Sequence, residues 1–224
     1  TTSIETFLPN GKAIQAATSH ALGQNFAKVF HIEFLDKNSK KQIPWQNSWG
    51  ITTRSIGIMI MMHSDDKGLV IPPKVAHTQV VIVPILFDKT KEKVKKTCEK
   101  LKKELKDFLV EVDFREEYSP GWKFNEWELK GVPLRIELGP KDMEKSQAVL
   151  VRRDTGKKVP VKLSKIKENV KKTLEEIQDN LLKKAREIMK KSTVEADNFN
   201  SVLKALENKK LVKTFWCEKD ECEE

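Results

Sequence analysis

Ser48-Trp49-Gly50-Ile51-Thr52-Thr53-Arg54-Ser55-Ile56-Gly57-Ile58-Met59-Ile60-Met61-Met62 reads as a short strand running into an apolar helix, with a single arginine near the junction. The first turn of a helix has unpaired N–H groups and a positive dipole end, so it favours an anion. The guanidinium of Arg54 adds a bidentate, permanent charge suited to phosphate. Thr52 and Thr53 set two hydroxyls directly before it. The same stretch also fits a buried core helix whose end Arg54 solvates, because it carries neither a Gly-rich phosphate loop nor a catalytic base. The residues alone leave both readings open.

Composition bounds what surrounds it. A chain of 224 residues has room for one large domain or two modest ones, and for a sizeable core. Charged residues make up 33% and hydrophobic ones 38%, the balance of a globular protein with a highly charged surface. The net charge of +9 and pI near 9.3 favour a polyanionic partner. A generic basic surface satisfies the same figures, and charge does not choose between RNA, DNA and an acidic membrane. No apolar run approaches the ~18–20 residues of a membrane helix. Three cysteines argue against a secreted disulfide scaffold and for a reducing cytoplasm. His31, His63 and His77 have no metal-ligand spacing. The chain opens at Thr1 without a methionine, and both ends look cut, so a piece of a longer protein is expected.

The elements follow from periodicity. Gly11 to Gln15 reads as a strand and Leu22 to Phe30 as a helix or a helix-to-strand passage. Ile32–Leu35 and Lys41–Ser48 suggest a hairpin across the polar turn Asp36–Lys40. Lys67-Gly68 is the expected end of the Arg54 helix, and Pro72-Pro73 marks a boundary. Val80 to Leu86 is a continuous β-branched run, the pattern of a buried parallel strand. Val94, Cys98, Leu101, Leu105 and Phe108 repeat at three and four, which predicts a helix over 91–108 with Cys98 in the core. Val110, Val112 and Phe114 alternate as a strand. Ser119-Pro120 and Gly131 bracket a short helix as cap, first-turn proline and stop. A strand over 134–138 and a hairpin of 147–151 with 158–162 come next. Lys165 to Lys191 is a long amphipathic helix with a lysine-rich outer face, and Lys204 to Cys217 begins another small unit.

Upstream, Gly11-Lys12-Ala13-Ile14-Gln15-Ala16-Ala17-Thr18-Ser19-His20-Ala21-Leu22-Gly23-Gln24-Asn25-Phe26 narrows the reading. Together with Ser48–Arg54 it resembles the prolyl-tRNA synthetases of the eukaryotic and archaeal type. Ser48–Met62 then resembles motif 3 of the class II enzymes, where a strand–helix unit carries the arginine that grips ATP. The resemblance runs from Gly11 almost to the end of the chain. It implies ATP contacts at Gln15, Thr18, Thr52 and Arg54, and proline contacts at His20. Trp49 is expected to wall the proline pocket. An amide and a hydroxyl suit adenine and ribose edges, although such residues also satisfy backbone groups in most folds.

The middle of the chain resembles the anticodon-binding domain of the same synthetases. Its most specific run is Tyr118-Ser119-Pro120-Gly121-Trp122-Lys123-Phe124-Asn125-Glu126-Trp127-Glu128-Leu129-Lys130-Gly131. Proline anticodons share two guanines, whose Watson–Crick edge needs carboxylates and cations together. The family supplies them at positions that match Glu128, Arg135, Asp142 and Lys157. Arg135 lies between Leu134 and Ile136 on the opposite strand face, an odd place for a merely solvated charge. Asp142 also fits a helix cap and Lys157 an ordinary turn. Trp122 and Trp127 are expected in the core.

The resemblance implies an α/β (α+β) chain in three parts. Residues 1–75 would be the C-terminal part of a class II antiparallel catalytic sheet. Residues 76–163 would be an anticodon-binding domain with a mostly parallel sheet, and 164–224 a helix and a small zinc-type domain. Cys217 and Cys222 match one half of the family's structural Zn²⁺ site. The implied activity is that of a proline–tRNA ligase: ATP and Mg²⁺ activate L-proline as prolyl-adenylate, and the prolyl group passes to tRNA(Pro) for translation. A homodimer in the cytoplasm goes with it. Motifs 1 and 2 would precede Thr1. The alternatives are a non-catalytic tRNA-binding module or fragment, and general basic RNA binding by the lysine-rich helices.

Overall fold

The computed structural model describes residues 1–217 and 219. It divides into two units, Thr1–Met61 with the residues from Ile188 on, and Met62–Glu187. In the first unit a strand that the sequence pattern did not announce, β1 (Thr2–Phe7), pairs antiparallel with β2 (Ala13–Gly23). The turn between them closes through Gly11, at φ +80°. A short helix α1 (Asn25–Val29) follows, then the two-residue strands β3 (Phe34–Leu35) and β4 (Lys41–Gln42). Their turn is tied by Asp36, whose Oδ1 accepts from the backbone N–H groups of Asn38 and Lys40. The expected second hairpin strand is divided: 41–42 pairs with β3, and β5 (Gln46–Ile51) pairs with β2. Helix α2 (Arg54–His63) begins at the arginine and stops four residues before Lys67. Asp65 and Gly68 instead close a turn of their own.

In the second unit β6 (Val80–Pro84) is buried along its whole length. It is followed by α3 (Lys91–Glu104), β7 (Val110–Val112), α4 (Pro120–Leu129) and β8 (Leu134–Leu138). Then come α5 (Pro140–Glu144), β9 (Gln147–Arg152), β10 (Lys158–Lys162) and the long α6 (Ile166–Ser192). The sheet order is β10-β9-β8-β6-β7. Ladders β6–β7 and β6–β8 are parallel, whereas β8–β9 and β9–β10 are antiparallel, so half of the ladders depart from the expected parallel pattern. The helix expected over 91–108 ends at Glu104, because Leu105–Phe108 folds into a turn that delivers the chain to β7.

Alternation along β6 and β8 sets the two faces. Val80, Ile82, Leu134, Ile136 and Leu138 meet Val94, Cys98, Leu101 and Leu105 of α3 and Ile166, Val170 and Leu174 of α6. Burial pushes the Cys98 thiol up to about 12, so it acts as a small apolar residue. Val81 and Val83 face the other way, onto Trp127 of α4 and Val132. The segment after α2 belongs to this unit because it is laced to the end of α4: Leu69 N–H donates to Leu129 O and Ile71 N–H to Gly131 O. The boundaries expected at 75/76 and 163/164 therefore fall inside the second unit. The first unit ends with β11 (Thr193–Glu195), α7 (Phe199–Glu207) and β12 (Leu211–Lys213), in which β11 and β12 pair in parallel.

Gly131 stops α4 at φ +73°, and a Cβ there would stand 2.6 Å from both the Cβ and the carbonyl oxygen of Leu69. Gly131→Ala is expected to cost more than ~1 kcal/mol, the left-handed penalty plus the collision. Urea unfolding measures it, and an unchanged midpoint would mean that the Leu69 segment yields.

Candidate functional site

The first group of expected residues lies on β2. Pairs Ile4↔Ala17 and Glu5↔Gln15 skip Ala16, so the strand carries one extra residue there. A regular strand would send Gln15 and Thr18, three apart, to opposite faces. The bulge restores them to one face, shared with Ser3, which stands opposite Thr18 and accepts from Gln15 Nε2 at 3.2 Å. His20 follows Thr18 on that face, with its Nδ1 3.0 Å from Thr1 Oγ1. Arg54 leans on the same strand, donating from Nη1 to Gln15 O at 3.3 Å, and its backbone N–H meets Thr52 Oγ1 at 3.3 Å. Its remaining guanidinium N–H groups are exposed beside the first turn of α2, a donor set that fits phosphate oxygens. Trp49 is different. It stands opposite Ser19, so its side chain leaves from the face away from Thr18 and His20. The structure does not bring Trp49 together with His20, because adjacent residues on β5 alternate.

The second group lies in Met62–Glu187. A cavity of about 150 Å³ is lined by Lys67, Trp127, Glu128, Arg135 and Lys158, with Val81, Val132 and Val151 among its walls. Glu128 is placed by its backbone: Arg153, itself buried, donates from Nε to Glu128 O at 2.9 Å. The other guanidinium nitrogens of Arg153 grip the Asp65 carboxylate and Gly68 O. That clamp holds the Asp65 carboxyl down to about 2. Lys67 of the same turn reaches the Glu128 carboxylate at 3.3 Å. Arg135 lies 4.4 Å over the Phe124 ring, the geometry of a cation–π contact.

Two other expected anticodon residues stand elsewhere. Asp142 closes the start of α5, where its Oδ2 accepts from Gly139 N–H at 3.1 Å, and it does not line the cavity. Lys157 sits in the β9–β10 turn, its backbone N–H on Thr155 Oγ1. Its neighbour Lys158 lines the cavity instead. Sequence reasoning did not single out Lys158 or its partner Glu137, which also pairs with Arg135, although the spacing of Glu137 two residues from Arg135 on one strand was a usable signal.

What fixes α4 beneath this cavity is Asp113, just after β7. Its buried carboxylate accepts from Arg115 Nε and Nη2 at 2.9 and 2.7 Å, and from Trp127 Nε1 at 2.8 Å. Lys123, also buried, donates to Asp113 O at 3.2 Å. Arg115 goes on to Glu126 of the same helix. Burial would raise the Asp113 carboxyl, but the Arg115 and Trp127 donors outweigh it and hold the group down to about 2. Trp127 is a core residue as expected. Trp122 is not: it is 44% exposed and stacks on Tyr118 with ring centroids 3.9 Å apart. Its position on the outward side of the first turn of α4 denies it the core.

Among the described residues no three or more His, Cys, Asp or Glu side chains are grouped to hold a metal ion. Cys222 lies outside the described residues, so of the expected zinc pair only Cys217 is described. Among the described residues no helix is long and apolar enough to cross a membrane.

Comparison with known proteins bears on both groups. Residues 79–173 match the family model described as "Anticodon binding domain", a span that contains Glu128, Arg135, Asp142, Lys157 and Lys158. A proline–tRNA ligase of Natranaerobius thermophilus is 49% identical over 99% of this chain and 46% of its own length. The cytoplasmic proline–tRNA ligase of Arabidopsis thaliana is 46% identical over 100% of the chain and 43% of its own length. A bifunctional glutamate/proline–tRNA ligase of Drosophila melanogaster is 45% identical, the chain covering 14% of it. Over nearly its whole length the chain is similar to proline–tRNA ligases. It spans less than half the length of these relatives.

The Asp113 network makes a pH prediction. A carboxylate held below its ordinary value of about 4 adds stability above that pH and loses it as pH falls toward about 2. Asp113→Asn should cost on the order of 2 kcal/mol at pH 7. It should also flatten the fall in unfolding free energy between about pH 4 and pH 2 in acid titrations followed by circular dichroism. A variant with an unaltered acid limb would remove Asp113 from the account.

Proposed function

We propose that this chain carries the anticodon reader and one wall of the ATP–proline cleft of a proline–tRNA ligase. The observation that carries the reading is the cavity in which Glu128 and Arg135 meet, inside the span that matches an anticodon-binding domain. A carboxylate accepts the N–H donors of a guanine's Watson–Crick edge, and an arginine donates to its acceptors. The relatives' names supply the reaction, and the chemistry agrees with the residues present. The proline carboxylate attacks the α-phosphorus of ATP, the bond to the β-phosphate breaks, and pyrophosphate leaves. Prolyl transfer to the terminal adenosine of tRNA(Pro) then releases AMP. Neither step needs a protein nucleophile. Arg54 neutralises phosphate charge, Gln15 and Thr18 orient the nucleotide, and His20 bounds the proline. Thr52 holds the turn from which Arg54 starts. Mg²⁺ bound through the ATP phosphates would supply further charge neutralisation. A reducing cytoplasmic setting is consistent with three cysteines and with the name of the Arabidopsis relative. A homodimer is the assembly that the family resemblance implies.

Arg135→Ala should weaken binding of this chain to a proline anticodon hairpin by ~10–100-fold, the value of one bidentate base contact. A hairpin with both guanines changed to adenines should bind the variant and the parent alike. Equal loss on both hairpins in a fluorescence titration would point to misfolding. In the full-length synthetase, Arg54→Ala should abolish proline-dependent ATP–pyrophosphate exchange and leave hairpin binding intact. Undiminished exchange would favour the tRNA-binding module without catalysis, or another phosphate clamp.

A further inference from the structure

Arg135 and Lys158 are brought together by register. Arg135 on β8 stands opposite Val151 on β9, and Val151 stands opposite Lys158 on β10. The two cations thus occupy one row on one face of the sheet, two strand spacings or ~10 Å apart at the backbone. Val151 between them is apolar and offers no counter-charge. Both side chains lean along the sheet to the same place. Glu137, two residues beyond Arg135 on β8, accepts at Oε1 from Arg135 Nε at 3.1 Å and Nη2 at 2.9 Å. Lys158 Nζ donates to both Glu137 oxygens, at 3.2 and 3.3 Å. The carboxylate is buried, while the Lys158 side chain is about half exposed.

We propose that Glu137 is the positioning residue of the guanine pocket, holding Arg135 and Lys158 side by side so that both cations face the same base. The inference rests on the reading of this cavity as the anticodon site. A donor count supports it. Arginine has five N–H groups in a rigid fork. Nε–H and one N–H of Nη2 are taken by Glu137, and one N–H of Nη1 reaches Phe124 O at 3.4 Å. One donor remains on each terminal nitrogen. That pair is the fork that meets guanine O6 and N7, while Glu128 of the same cavity takes the N–H edge. Lys158 then adds a second cation beside O6. Lys157 has no place in this arrangement, since its side chain does not line the cavity. Electrostatics set the role of Glu137. Two cations sharing one carboxylate leave a net charge of +1, available to an electron-rich base edge. Without that carboxylate Arg135 and Lys158 repel, and the long lysine side chain swings to water. Glu137 itself is buried, does not line the cavity, and acts through the two cations that it engages.

The test uses this whole chain and two 17-nucleotide anticodon hairpins, one with the two guanines and one with adenines in their place, titrated by fluorescence anisotropy. The parent chain should prefer the guanine hairpin. Glu137→Gln keeps the shape and loses the charge, and should reduce that preference tenfold or more in a chain whose circular dichroism shows it still folded at the titration temperature. Lys158→Ala should do the same, and the double variant should be little worse than either single one, because the residues act as a unit. Glu137→Asp, which keeps the charge, should recover part of the preference. Retained preference in Glu137→Gln overturns the proposal. So does a loss in Lys158→Ala that is equal on both hairpins with a salt slope lower by about one, which marks a phosphate contact. If the parent chain shows no guanine preference, the anticodon reading of the cavity fails first, and this proposal falls with it.

Discussion

The buried carboxylate of Asp113 is the point on which the second unit turns. Strand β7 is three residues long and cannot by itself orient the loop that follows it. Asp113 converts the end of that strand into an anchor by accepting from Arg115 of the loop and from the Trp127 indole of α4. An ionised carboxylate away from water is costly unless every oxygen is engaged, and here both are. The helix is thereby fixed in rotation about its own axis. Trp127 must face the sheet, so Phe124 and Glu128 must face the neighbouring strands β8 to β10. The placement of the helix residues in the cavity thus follows from the hydrogen bond between Trp127 and Asp113.

A second constraint works from the other end of α4. Arg153 reads out the backbone of Glu128 and at the same time binds Asp65 and Gly68, segments distant in sequence. Gly68 and Gly131 permit the close approach: a Cβ at Gly68 would lie 2.6 Å from the Leu129 backbone. Glu128 is therefore set between two clamps, Asp113 below and Arg153 beside. Arg153 lines the cavity and Asp113 does not, yet both decide where the Glu128 carboxylate stands.

Much of this was legible in the sequence, and the gaps have physical causes. Val80–Pro84, the Ser119 cap and the Gly131 stop were readable because burial, capping and left-handed backbone leave direct marks on residue type. Arg135 announced itself as a charge between two core residues. Strand β1 left no mark because its side chains are mostly exposed, so alternation carries no apolar signal. Trp122 misled because an aromatic residue on a short helix suggests the core, whereas its place on the helix faces outward. Trp49 misled because its neighbours Ser48 and Gly50 share the face of His20 and Thr18, and strand alternation excludes it. Lys158 was overlooked because adjacent lysines are indistinguishable until a register assigns one of them to a face. Asp142 was legible in both senses, as a cap and as an acid, and only its hydrogen bond separates them.

The extra residue at Ala16 has a consequence of a different kind. Gln15 and Thr18 share a face only because the strand is one residue longer there than its partner. Chain length, more than side-chain identity, is the instruction at that position. Replacing Ala16 by another small residue leaves the arrangement alone, whereas deleting it would turn Thr18, Ser19 and His20 over as a block without altering a single functional group. A region that tolerates substitution can thus be intolerant of insertion and deletion. The signature to seek at such a strand is a conserved count of residues between the two polar groups.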